Sequence, residues 1–185
     1  ILSFYEQICL YKLKESAIRP FLIEKPLAIF VGSSVTASVS DKEASDVVTI
    51  LHFFQHFVDD SRESIDYIDR LMNGNDGLVE EKTNRSIFNR SFKFLREQSR
   101  TAQDIYTDML AKIFNSTVAG ANLYVDNLNG QSGEIGMRVG SADYFGVINV
   151  GDDSKLMKIL GKHHFKTNTK DFSDKSLFAS INEKD

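Results

Sequence analysis

The stretch Lys25-Pro26-Leu27-Ala28-Ile29-Phe30-Val31-Gly32-Ser33-Ser34-Val35-Thr36 constrains the fold more than any other part of the chain. Leu27 to Val31 is a continuous apolar run of strand length, preceded by Pro26 and closed by the small residues Gly32-Ser33-Ser34. A strand apolar on both faces has to be covered on both, as strands of a parallel α/β sheet are. Turns that face ligands in such sheets lie just past the carboxyl end of a strand, the place of Gly32 to Ser34. Val150-Gly151-Asp152-Asp153-Ser154 has the same design. The expectation is an α/β domain with a polar crevice.

Helical spacing dominates the flanks of that stretch. Ile1, Phe4, Tyr5, Ile8 and Tyr11 form an apolar stripe, stopped by Arg19-Pro20. Val47, Ile50, Leu51, Phe54, Phe57 and Val58 describe a second amphipathic helix. Asp60-Ser61-Arg62-Glu63 resembles a capping box before a third, whose buried face would hold Ile65, Ile68, Leu71 and Met72. Asn73-Gly74-Asn75-Asp76-Gly77 is a break. Leu78 to Arg100 has apolar residues on no single face, whereas Ala102, Ile105, Tyr106, Met109, Leu110 and Ile113 again predict a helix. Residues 41–117 therefore read as all-helical, lodged between two strand-bearing pieces.

After Gly120 the period changes to two. Strands are expected over Asn122 to Leu128 and Glu134 to Val139, joined through the hairpin signal Asn129-Gly130-Gln131-Ser132-Gly133, and again over Tyr144 to Val150. Short helices are expected over Lys155 to Leu160 and Phe172 to Ile181.

At 185 residues the chain is about one domain with room for a proper core. Its net charge of -4 provides no general pull toward nucleic acid, so binding would need a local patch. Arg85, Arg90, Lys93, Arg96 and Arg100 form the one basic concentration, interleaved with Phe88, Phe92 and Phe94. Such a surface can neutralise phosphates, with Arg90 and Lys93 as candidate contacts; a solvated helix face is the plain alternative. Cys9 is the only cysteine, which excludes an internal disulfide and fits a reducing cytosol; on an apolar stripe it is a packing residue. No apolar run approaches the roughly 18 residues of a membrane span, and no secretory signal pattern opens the chain, so a cytoplasmic location is expected.

His52 and His56 stand one helical turn apart, the spacing of two metal ligands, yet no third ligand accompanies them at fixed spacing. His163-His164 reads as a loop pair. Asp152-Asp153 could hold magnesium, and a capped helix N-terminus explains the same residues. There is no G-x-x-x-x-G-K-[ST] loop for a nucleoside triphosphate, and no Ser/His/Asp or Cys/His arrangement stands out. Residue 1 is Ile inside a helical pattern, and Ile181 to Asp185 shows no natural ending, so a segment of something longer is expected.

Three ordered stretches are familiar together. They are Glu24 to Thr36 around the apolar run, Gly133-Glu134-Ile135-Gly136-Met137-Arg138-Val139-Gly140 running on to Phe145 through Asp152, and Ser176-Leu177-Phe178-Ala179-Ser180-Ile181-Asn182. They resemble the DEAD/DEAH-box helicases of superfamily 2 that include type III restriction subunits. In that family two RecA-like lobes clamp ATP and move along nucleic acid. The resemblance places residues 1–185 at the front of the second lobe, with 41–117 a helical insertion. It implies nucleic-acid contacts at Gly32, Ser33, Ser34 and Thr36, and a weaker cofactor-binding set at Gly151, Asp152 and Ser154. It further implies ATP and Mg²⁺ in the full-length parent but none for this segment alone. Its implied partners are DNA, the first lobe and a modification or other defence-system subunit. The phosphate-cradling lysine and the acidic box would lie upstream, and the arginine-bearing motifs after Asp185. Two alternatives stay open: a stand-alone α/β module whose helical part grips a protein, and a small phosphate-binding enzyme using Gly32 to Ser34.

Overall fold

The computed structural model describes residues 1–18, 26, 28–30, 46–128 and 134–149. In chain order the described elements are α1 (Leu2–Ile18), α2 (Asp46–Asp59), α3 (Ser61–Asn73), α4 (Lys93–Glu97), α5 (Ala102–Phe114), β1 (Leu123–Asn127), β2 (Glu134–Val139) and β3 (Gly146–Asn149). The protein is mixed α/β. The chain divides into two compact units, one of residues 1–29 with 61–113 and the other of 30–60 with 114–185. The stretch 41–117 is thus shared between them: α2 falls in the unit of the strands, and α3 and α4 in the other.

The first unit is mainly helical. Its buried side chains include Leu2 and Tyr5 of α1, Ile68 of α3, Leu95 of α4, and Ile105, Tyr106, Met109 and Leu110 of α5. The last four recur at i, i+1, i+4 and i+5, the width of one buried helical stripe. Helix α3 begins directly after Asp60, where the capping-box pattern puts its start. It ends on Gly74, whose φ of 70° suits a residue without Cβ, while the Asn75 N–H returns to the Arg70 carbonyl at 2.8 Å. The expected helical continuity of 41–117 breaks here. Residues 74–92 contain turns and one antiparallel bridge, Val79 with Ser86.

In the second unit α2 buries Val48, Leu51, Phe54 and Val58 at spacings of three and four. The strands form one sheet in the order β1-β2-β3, antiparallel throughout. Leu123 pairs with Val139, Val125 with Met137 and Asn127 with Ile135. One sheet face is consequently the buried row Leu123, Val125, Ile135, Met137 and Val139, and the other carries Tyr124, Asp126, Gly136 and Arg138. The Asp59 carboxylate accepts the Leu123 N–H at 2.7 Å, joining the end of α2 to the start of β1. Phe54, Phe57, Phe114 and Phe145 pack ring on ring beside this row, with Phe114 and Phe145 centroids 4.9 Å apart.

Two expectations are corrected. The described strands are antiparallel, because their connections are short and a parallel pair needs a crossover of about a dozen residues or more. The apolar run also forms no described strand: Ala28, Ile29 and Phe30 have no ladder partner among the described residues, and Ile29 is 75% exposed. Phe30 sets its ring edge-on to Phe54 at 5.3 Å instead. Leu27, Val31, the hairpin residues 129–133, Val150 and the two helices expected after it lie outside the described residues. Among the described residues, no helix is long and apolar enough to cross a membrane.

Candidate nucleic-acid interface

Of the residues the sequence offered for nucleic-acid or cofactor contact, Arg90 and Lys93 are described. Gly32, Ser33, Ser34, Thr36, Gly151, Asp152 and Ser154 lie outside the described residues. Arg90 and Lys93 belong to a small construction between α3 and α5, built from local hydrogen bonds. Leu78 to Ile87 is a two-stranded ribbon: Ile87 N–H donates to the Leu78 carbonyl and Glu80 N–H to the Arg85 carbonyl, both at 2.9 Å. Its turn is closed by the Asn84 N–H on the Glu80 carbonyl at 2.8 Å, with Asn84 at a φ of 50°, and by the Thr83 hydroxyl donating to the Glu80 carboxylate at 2.6 Å.

A ribbon this short is marginal by itself and needs outside support. Asp76 supplies it. One carboxylate oxygen accepts the Leu78 N–H and the other the Ser86 hydroxyl, each at 2.8 Å, and Ser86 Oγ accepts the Phe88 N–H at 3.1 Å. The Ser86 bond leads in holding the Asp76 carboxyl below its usual range.

Two successive turns carry the chain from the ribbon into α4, Asn89 N–H to the Ser86 carbonyl and Ser91 N–H to that of Phe88. Phe92 anchors them. It is buried, its ring stacks on Phe88 at 5.9 Å, and it holds a φ of 57° at the start of α4. A bulky residue takes that conformation only when its surroundings impose it. From α1, the Glu6 carboxylate accepts the N–H groups of Phe94 at 3.1 Å and Leu95 at 3.4 Å, satisfying donors that the first turn of α4 leaves open.

The basic concentration divides into two kinds. Arg96 donates to the carbonyls of Met72 at 3.0 Å, Leu71 and Asn89 at 2.9 Å, and Phe88 at 3.3 Å. It closes the C-terminus of α3 and the turns before α4. Arg100 donates to the Tyr5 hydroxyl at 2.6 Å, to Asp108 at 3.2 Å and to the Asp104 carbonyl at 2.9 Å. Tyr5 in turn donates to Asp108, and Lys112 pairs with the same carboxylate. Burial would lower the Arg100 pKa, but Tyr5 and Asp108 hold it raised. Burial, then the bond to Asp108, pushes the Tyr5 phenol well above its ordinary range. Arg96 and Arg100 are structural, which corrects their reading as members of a phosphate-neutralising face. Arg85, Arg90 and Lys93 are exposed, and among the described residues none of the three forms an ion pair.

The face of the sheet opposite the apolar row holds a second polar cluster, which sequence reasoning missed. Arg138 Nε lies 2.5 Å from the fully buried Asp126 carboxylate, and its guanidinium stands 4.4 Å over the Tyr124 ring. Arg138 also donates to the Gly140 carbonyl, and the Tyr144 hydroxyl donates to Asp126 at 3.1 Å. The alternation of β1 and β2 was the available signal, since it sets Tyr124, Asp126 and Arg138 on one face. His52 Nδ1 lies 3.0 Å from Gln55 Oε1, and among the described residues no group of three His, Cys, Asp or Glu could hold a metal. Comparison with protein-family models, with curated proteins and with solved structures finds no match.

Proposed function

We propose that this chain is part of an ATP-dependent DNA helicase or translocase of a restriction or defence system, from the front of a second RecA-like lobe. The observation that carries this reading is the discontinuous unit of residues 30–60 and 114–185. Within it α2 lies with β1, β2 and β3, the last two from the stretch Gly133 to Asp152 that resembles the helicases, although residues 61–113 separate α2 from the strands in sequence. Residues 61–113, the larger part of the 41–117 stretch read as a helical insertion, belong to the other unit together with residues 1–29. In this reading β1, β2 and β3 are an antiparallel flank, a common companion of parallel strands in large mixed sheets.

The segment would supply scaffold and strand contacts: Gly32, Ser33, Ser34 and Thr36 through N–H and hydroxyl groups on phosphate, and Arg90 and Lys93 through charge. ATP and magnesium would be held by the first lobe, with Gly151, Asp152 and Ser154 facing the cleft. Catalysis of phosphoryl transfer would be positional and electrostatic.

The coding sequence on either side tests the reading. A G-x-x-x-x-G-K-[ST] loop upstream, an arginine-bearing helicase motif downstream and DNA-stimulated ATP hydrolysis by the full-length product are expected. Replacing Ser33, Ser34 and Thr36 together by Ala should then lower the DNA-stimulated rate and leave the basal rate in place. A coding sequence with neither flanking motif would end the proposal.

A further inference from the structure

We propose that the Leu78–Ile87 ribbon and the turns leading to Lys93 form a docking surface for single-stranded DNA. The hydrogen-bond pattern sets Leu78 and Ile87 directly opposite each other, with Glu80 and Arg85 next along the same face. Leu78 is 53% exposed and Ile87 57%, a cross-strand aliphatic pair turned to solvent. Residues 78–93 carry four cations, Lys82, Arg85, Arg90 and Lys93, against the two carboxylates of Glu80 and Glu81, in a chain whose net charge is -4. One of those carboxylates is engaged by Thr83. The local excess is positive where the molecule as a whole is negative, which selects a polyanion as the occupant.

The aliphatic pair selects the form of the polyanion. In a duplex the base faces are stacked on one another, and Leu78 and Ile87 would meet only sugars and groove edges. An unpaired strand offers base faces that these side chains can cover while Arg85, Arg90 and Lys93 reach phosphates. Single strands are bound without sequence preference by a cationic groove beside side chains that cover base faces, most often aromatic ones; here the aliphatic Leu78 and Ile87 take that place. The surface is held by groups it does not offer: Asp76 and Ser86 brace the ribbon, Arg96 ties the turns to α3, and Phe92 is buried. The inference takes from the reading above only the choice of DNA over RNA.

The test is fluorescence anisotropy of the 185-residue chain with a labelled oligothymidylate, without nucleotide, across a salt series. Three phosphates neutralised on a single strand give a slope of log K against log salt of about -2, hence roughly 20-fold weaker binding at fourfold higher salt. Replacing Arg85, Arg90 and Lys93 together by Ala should remove about 2 from that slope. Leu78→Ser with Ile87→Ser should weaken binding roughly tenfold and keep the slope. Arg62→Ala, an exposed cation on α3, should change neither. All these side chains are exposed, so the fold is kept, as circular dichroism will verify. Absence of binding, equal or tighter binding of duplex or of oligouridylate, an Arg62→Ala effect as large as that of the triple variant, or an unchanged affinity in the Leu78/Ile87 variant would each overturn the proposal. So would docking of an acidic protein that oligothymidylate does not displace. The helicase reading is decided separately, by the flanking coding sequence.

Discussion

Asp126 and Arg138 meet diagonally across β1 and β2, with Arg138 Nε 2.5 Å from a carboxylate that has no exposed surface. Burial alone would lower the Arg138 pKa, and Asp126 reverses that and holds it raised. The pair therefore stabilises the protein chiefly by what its loss would leave behind, a guanidinium facing a carboxamide in a nearly dry site. Asp126→Asn is expected to cost about 3 kcal/mol in urea unfolding. Arg138→Met combined with Asp126→Asn should restore a large part of that loss, since no unpaired charge then remains. A double variant no more stable than Asp126→Asn alone would show that the cost comes from packing.

The strand register sets Gly136 opposite Asp126, and there the Tyr144 ring occupies the space a side chain would need. A Cβ there would stand 2.7 Å from Tyr144 Cδ1 and 2.9 Å from Leu128 Cδ2. Gly136→Ala should destabilise by about 1–3 kcal/mol, the usual range for overpacking. In a Tyr144→Ala background the same substitution should cost less, because the nearer obstacle is gone. Thermal unfolding of the four proteins measures the difference, and equal costs in both backgrounds would place the clash on Leu128.

Periodicity made much of this architecture legible. The spacing of Leu51, Phe54 and Val58, the capping pattern at Asp60, and the alternation through Leu123, Val125, Ile135 and Met137 lead straight to α2, α3 and the sheet, though α2 also buries Val48, which the sequence pattern through Val47 did not include. Each is a local signal, complete within a few turns or pairs. What stayed hidden depends on partners distant in sequence. Arg96 looks like a surface cation until Gly74 ends α3 and leaves the Leu71 and Met72 carbonyls facing it. Glu6 looks like one more polar residue of α1, and only the tertiary fold brings it to the first turn of α4. For Ala28 to Phe30 the apolar run was a fair strand signal, but a strand also needs a neighbour, and hydropathy does not supply one. Of the candidate interface, the charges at Arg90 and Lys93 were legible; the Leu78–Ile87 pair was not, because its exposure follows from the Asp76–Ser86 brace.

Arg96 gives a prediction that separates architecture from ligand contact. Its planar fork reaches four carbonyls, whereas an ammonium offers a compact charge that cannot span Leu71, Met72, Phe88 and Asn89 together. Arg96→Lys should therefore destabilise by about 1–3 kcal/mol despite the conserved charge. Because the guanidinium is spent on carbonyls, the salt slope of oligothymidylate binding should not change. A flatter slope with unchanged stability would return Arg96 to the docking surface.

The Asp108 cluster sets the response to acid and to alkali with opposite signs. Burial would raise the Asp108 pKa, yet bonds from Lys112, Tyr5 and Arg100 hold it lowered. Its unfolded value is about 4, so its contribution is fully present above that pH and is lost as pH falls through the lower folded value. Tyr5 is raised, so its contribution is complete below about pH 10 and is lost as pH rises through the folded value. Asp108→Asn should flatten the acid limb of the urea midpoint plotted against pH below about pH 4. Tyr5→Phe should flatten the alkaline limb, and part of the acid limb too, because it also takes one hydrogen bond from Asp108. An acid limb unchanged in Asp108→Asn would assign acid sensitivity to other carboxylates, with Asp76 and Asp104, both also held low, as the next to replace.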